Sequence, residues 1–137
     1  MSRRLKKIVS SLVIIMVLSI PNIICFAAST TYSTTFSFSG CCIGKYRDYN
    51  YGDITVTTVS DQKTFGTLYE DTFTVSLYCE GILSDSYIGQ YKAKCIGTTT
   101  NGWTNVLSAR YRIELNKNKR DGQLLEGTMK IVNKSRL

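Results

Sequence analysis

Histidine is absent from the 137 residues, and proline occurs once, at Pro21. The first absence removes the commonest general base and the usual partner of a serine or cysteine nucleophile. The second leaves everything beyond residue 21 free of the residue that interrupts strand ladders. No C-x-x-C pair, G-x-S-x-G elbow or phosphate-binding glycine loop is present, so zinc, serine-hydrolase and nucleotide signatures are all missing. The longest apolar or small run, residues 8–20, has 13 positions, short of the roughly 20 that a membrane-spanning helix needs.

Arg3, Arg4, Lys6 and Lys7 precede that run, Pro21 and Asn22 end it, and the small pair Ala27 and Ala28 follows. A basic cluster, a short apolar core and a small-residue exit make a secretory signal peptide. The expectation is a signal over residues 1–27, a secreted domain over residues 28–137 and no stable membrane span in the mature form. An uncleaved anchor over residues 8–28 is the alternative. Loss of the signal lowers the net charge from +7 to +3 and removes Cys25, the odd one of five cysteines. The remaining basicity gathers at the C-terminal end, where residues 110–137 carry +5 against −2 for residues 28–109.

Beyond the signal, Thr, Tyr, Val, Ile and Phe recur in short alternating runs, which is strand chemistry. Residues 71–80 alternate most cleanly, with Phe73, Val75, Leu77 and Cys79 on one face and Thr74, Ser76, Tyr78 and Glu80 on the other. Residues 34–39 and 53–59 do the same around Phe36 and Phe38, and around Ile54 and Val56. Residues 88–100 run into Asn101-Gly102, a tight-hairpin dipeptide, which predicts a return strand over 103–107 beginning at a core-plugging Trp103. Residues 109–115 alternate again, and a turn over 116–123 predicts a second hairpin closed by 124–132, with Met129 and Ile131 inward. About seven half-apolar strands need a second sheet to cover them. The expected fold class is all-β: a single antiparallel β-sandwich or jelly-roll-like domain.

Cys41, Cys42, Cys79 and Cys95 remain after the signal, and an even count in an exported domain predicts two disulfides. Cys79 and Cys95 fall on inward faces of successive strands, which makes a bridge between them reasonable. Cys41 and Cys42 point oppositely in a strand, leaving a vicinal ring or a bridge from each to Cys79 or Cys95. No metal or cofactor is expected.

Residues 44–53 concentrate Tyr46, Tyr49 and Tyr51 with Arg47, Asp48, Asn50 and Asp53. Tyrosine faces stack while carboxylates and amides take hydrogen bonds, so this is the first candidate binding loop, with a plain surface turn as the alternative. The second candidate is the basic turn carrying Lys117, Lys119 and Arg120, whose field suits anionic polymers. Asp48, Asn50 and Asp53 also approach calcium-loop spacing, but Val59 stands where the bidentate glutamate belongs. Glu80 and Glu114, on outward strand faces, are the pair that a carboxylate-based hydrolase would use.

The segments FSFSG, GDITVTT, TFTVSLY, GWTNVLSARYRIELNKNKRDG and EGTMKI resemble small exported β-sandwich proteins of Gram-positive bacteria over nearly the whole mature chain. More loosely, the chain is similar to the jelly-roll appendage domains of secreted peptidases. The resemblance implies a fold and a compartment, and carries over no catalytic residue. The leading expectation is a secreted, non-catalytic binding protein whose partner is an anionic cell-envelope polymer or an extracellular protein, and not nucleic acid. A secreted antimicrobial or toxin-like protein and a wall-glycan hydrolase are the alternatives.

Overall fold

Alternating apolar and hydroxyl side chains build nine strands among the residues described by the computed structural model, 28–63, 72–117 and 122–136. In chain order they are β1 (Ser29–Phe38), β2 (Cys41–Ile43), β3 (Arg47–Tyr49), β4 (Gly52–Lys63), β5 (Thr72–Cys79), β6 (Ser86–Lys94), β7 (Gly97–Val106), β8 (Ala109–Asn116) and β9 (Leu124–Ser135). The expected signal peptide lies outside the described residues. Two antiparallel sheets form, one in the order β1-β9-β4-β7 and one in the order β2-β8-β5-β6, with β3 also paired to β8. The fold is all-β and sandwich-like, as its strand chemistry implied, with nine strands rather than about seven. Among the described residues, no helix is long and apolar enough to cross a membrane.

Each sheet turns one apolar face inward. Phe73, Val75 and Leu77 of β5 and Tyr111, Ile113 and Leu115 of β8 are buried, and Ile54, Val56, Leu125, Met129 and Ile131 come from β4 and β9 of the other sheet. Phe36 and Phe38 of β1 each approach Phe73 with ring centroids 6.1 Å apart, which joins the layers. Full burial of one such side chain stabilises by about 1.5–3 kcal/mol.

Asn101-Gly102 is not a hairpin turn. It lies within β7, opposite Val56 and Thr55 of β4. Glycine is required at position 102 because a Cβ there would come within 1.9 Å of the Ile54 carbonyl oxygen, beside an irregularity between Gly52 and Ile54 in the partner strand. The chain turns instead at residues 95–96, and β7 joins the sheet opposite β6. Nor do β8 and β9 form a hairpin: β8 pairs with β5, whereas β9 crosses over to lie between β1 and β4. Alternation reports which face of a strand is apolar, but not which sheet will hold it.

No disulfide joins any two of Cys41, Cys42, Cys79 and Cys95. Because β5 and β6 are antiparallel, Cys79 pairs with Ser86 beside the connecting turn, while Lys94 pairs with Thr72 at the far end. Cys95 is the next residue, so the two cysteines expected to bridge stand a strand length apart, roughly 25 Å. Parity put these cysteines on one face, and register separates them beyond disulfide reach.

Candidate functional site

Parity on β8 sends Tyr111, Ile113 and Leu115 inward and leaves Arg110, Arg112 and Glu114 on the outer face. Arg112 is the centre of a polar cluster there. Its guanidinium donates to Asp85 Oδ2 at 2.9 Å, to Glu114 Oε2 at 2.9 Å and to the Tyr46 hydroxyl oxygen at 3.2 Å, and it lies 4.7 Å from the centroid of the Tyr78 ring. The Tyr46 hydroxyl in turn donates to Asp85. The bond from Tyr46, followed by that from Arg112, holds the Asp85 carboxyl below its usual range, and the same bond, followed by burial, pushes the Tyr46 phenol up. For Arg112, burial opposes the charge, but hydrogen bonds with Asp85, Glu114 and Tyr46 outweigh it and raise its pKa.

Arg110 donates to the two Glu80 oxygens at 3.1 and 2.8 Å and lies 3.6 Å from Asp48. Glu80 and Glu114 are therefore each held by an arginine of β8, an arrangement that fixes them as structural charges on the sheet. The Cys41 thiol donates to Glu114 Oε1 at 3.5 Å, and burial, with the Glu114 charge next, raises its pKa.

Much of the tyrosine-rich segment is framework. Residues 47–49 form β3 against β8, and this buries Tyr49 at 4 % exposure, with its ring centroid 5.9 Å from that of Tyr111. Burial pushes the Tyr49 phenol up to about 12. Arg47 lies 4.6 Å over the Tyr32 ring. The Asn50 N–H donates to Asn133 Oδ1 at 2.8 Å, and its carbonyl accepts from Asn133 Nδ2 at 3.1 Å. Tyr51 is exposed, and its N–H donates to Ser108 Oγ at 2.8 Å. Asp53 accepts from Arg136 at 2.7 and 3.2 Å and from the Asn105 N–H at 3.1 Å, and these bonds, Arg136 first, lower its pKa. The Asp48 carboxylate thus faces Arg110 and that of Asp53 faces Arg136, while Asn133 Nδ2 donates to the carbonyls of both Asn50 and Asp53, so the three side chains do not converge on one point.

The basic turn also differs from expectation. Lys117 continues the inward parity of Ile113 and Leu115, is 2 % exposed, and donates from its ammonium to the Gln123 carbonyl at 3.0 Å. It adds no charge to the surface. Lys119 and Arg120 lie outside the described residues.

Sequence periodicity passed over the turn between β5 and β6. There Ile82 and Leu83 are 103 % and 99 % exposed. The base of this hairpin is tied down: the Glu80 N–H donates to the Arg110 carbonyl at 2.8 Å, Arg110 holds Glu80, and Arg112 holds Asp85. Tyr87 stands edge-on to Tyr78 at 5.7 Å. Nearby, Ile88 and Leu107 line a shallow groove with Trp103, Val106 and Tyr111. Turns ordinarily carry Gly, Asn, Asp or Ser, so two adjacent aliphatics in full solvent answer no folding need. The signal was present in Gly-Ile-Leu-Ser-Asp at residues 81–85, an apolar pair set among turn formers.

No family model matches the chain, and no curated protein matches it in sequence. Among solved structures it is similar to a periplasmic inhibitor of g-type lysozyme from Aeromonas hydrophila, with 13% identity over 78% of this chain and 86% of that one and a TM-score of 0.40. It is also similar to the Yersinia pseudotuberculosis-derived mitogen, with 12% identity over 80% and 88% of the two chains and a TM-score of 0.38. A family two carbohydrate esterase from Cellvibrio japonicus shows 9% identity over 80% of this chain and 37% of its own, with a TM-score of 0.37. Three dissimilar proteins at such scores assign none of their activities to this chain.

Proposed function

We propose that this chain is an exported, non-catalytic binding domain that docks onto an extracellular protein through the tip of the β5–β6 hairpin. The observation that carries this reading is the complete exposure of Ile82 and Leu83 on a base held by Arg110 and Arg112. A rigid base lowers the entropy lost on docking, and two aliphatic side chains entering an apolar cleft contribute about 3–6 kcal/mol together. That is enough for an anchor within a larger interface. It is too little to hold a membrane alone.

The test places a photocrosslinking amino acid at position 84 in the secreted protein and compares it with the same protein carrying Ile82→Asp and Leu83→Asp. One crosslinked extracellular protein, lost in the double variant while circular dichroism stays unchanged, is the expected result. Equal crosslinking by the double variant, or dye release from anionic vesicles that depends on Leu83, overturns the reading. Intact mass of the secreted protein tests the export half, with Ala28 or Ser29 expected as the first residue.

A further inference from the structure

The sandwich is open along one side. β1 edges one sheet there, β2 and β3 edge the other, and among the described residues no backbone ladder joins the two edges, which meet through the Tyr32 hydroxyl donating to the Asp48 carbonyl at 3.0 Å. A cavity of about 300 Å³ lies between them. Phe36, Met129 and Ile131 line it from one layer, and Cys42, Ile113 and Leu115 from the other. All but Cys42 are buried core residues, and Tyr49 joins them, whereas the exposed Thr34 and Thr35 of β1, with Ile43 and Gly44, complete the wall, so the deep part of the cavity is apolar and its rim carries hydroxyls.

The opening has a different character. Lys45, exposed, and Arg47, half-buried, also line the cavity. Arg110, Arg112 and Arg136 each hold a carboxylate. Among the described residues no carboxylate pairs with Lys45 or Arg47, and Arg47 rests over the Tyr32 ring. An apolar interior with two uncompensated cations at its opening matches one ligand chemistry. We propose that the inter-sheet cavity binds a single-chain anionic amphiphile, its alkyl chain between the sheets and its head at Lys45 and Arg47.

The volume stands at the lower end of ligand sites, which run from about 300 to 1,000 Å³. It therefore takes one chain and excludes a two-tailed lipid. The Cys42 thiol, on the cavity wall, supplies a built-in reporter of occupancy. This site is separate from the hairpin tip, and its occupancy does not depend on whether the tip docks a protein.

The test titrates the purified secreted protein with decanoate, decyl phosphate, decanol and decyltrimethylammonium, each below its micelle concentration. Saturable one-to-one binding of decanoate or decyl phosphate is expected, with the tighter of the two identifying the head. Octanoate should bind more weakly than decanoate by about fifteenfold, since each methylene lost costs about fourfold. The double variant Lys45→Gln, Arg47→Gln should weaken the anionic ligand by about tenfold or more and leave decanol unchanged. In a Cys41→Ser background, the bound anion should slow alkylation of Cys42 by N-ethylmaleimide without altering that of Cys79. Absence of saturable binding by both anions, equal binding of decanol and decanoate, or unprotected Cys42 overturns the proposal.

Discussion

At the scale of single residues, the outer face of the β8 sheet is held by charge and the inner face by burial, and the two respond oppositely to pH. Asp85 and Asp53 have lowered pKa values through Tyr46 and Arg112 in one case and Arg136 and Asn105 in the other. A depressed carboxylate stabilises above its unfolded pKa and loses that contribution as pH falls through the folded value. Urea midpoints should therefore drop below about pH 4, and Asp85→Asn should show a shallower drop. Tyr49 follows the opposite sign. Its phenol is raised to about 12 by burial, so its neutral form stabilises below about pH 10 and that contribution is lost as pH climbs through the raised value. The buried Tyr91 hydroxyl has no hydrogen-bond partner among the described residues. Tyr91→Phe should raise stability by about 1 kcal/mol in thermal or urea unfolding, because a desolvated hydroxyl is removed and no bond is lost.

At the scale of elements, β9 carries the first sheet, since β1 and β4 both pair with it along its length. Gly127 sits at the crowded point. A Cβ there would lie 2.2 Å from the Val59 carbonyl oxygen and 2.6 Å from Phe36 Cζ. Gly127→Ala should cost about 2–3 kcal/mol, measured from equilibrium urea curves, because neither a paired backbone nor a core ring can give way cheaply. The β5–β6 tip shows the reverse. Ile82→Ser with Leu83→Ser should change stability by no more than about 0.5 kcal/mol, since neither side chain touches the core in the folded chain.

At the scale of the whole molecule, the connections run between sheets as well as within them, and the first described strand pairs with the last. Such distant pairings must wait for long loops to close, so folding on the millisecond-to-second scale is expected. The separation of Cys79 and Cys95 gives a sharper prediction. Denaturation midpoints with and without reductant should coincide, because no cross-link between these strands restrains the unfolded chain. A loss of about 2–4 kcal/mol on reduction would instead show a cross-link among the four cysteines.

The sequence by itself determined the strand character of the chain and which side chains turn inward along residues 71–80 and 109–115, because period-two alternation is a local property of an extended backbone. The hairpin tip was passed over, although Ile82 and Leu83 stand among turn residues, because periodicity has no template for an apolar turn. Tertiary structure alone decided the sheet partners of β7 and β9, the burial of Lys117, the separation of Cys79 from Cys95 and the cationic opening at Lys45 and Arg47. Each of these depends on which strand lies alongside another and in what register, and neither is encoded in the periodicity of a single segment.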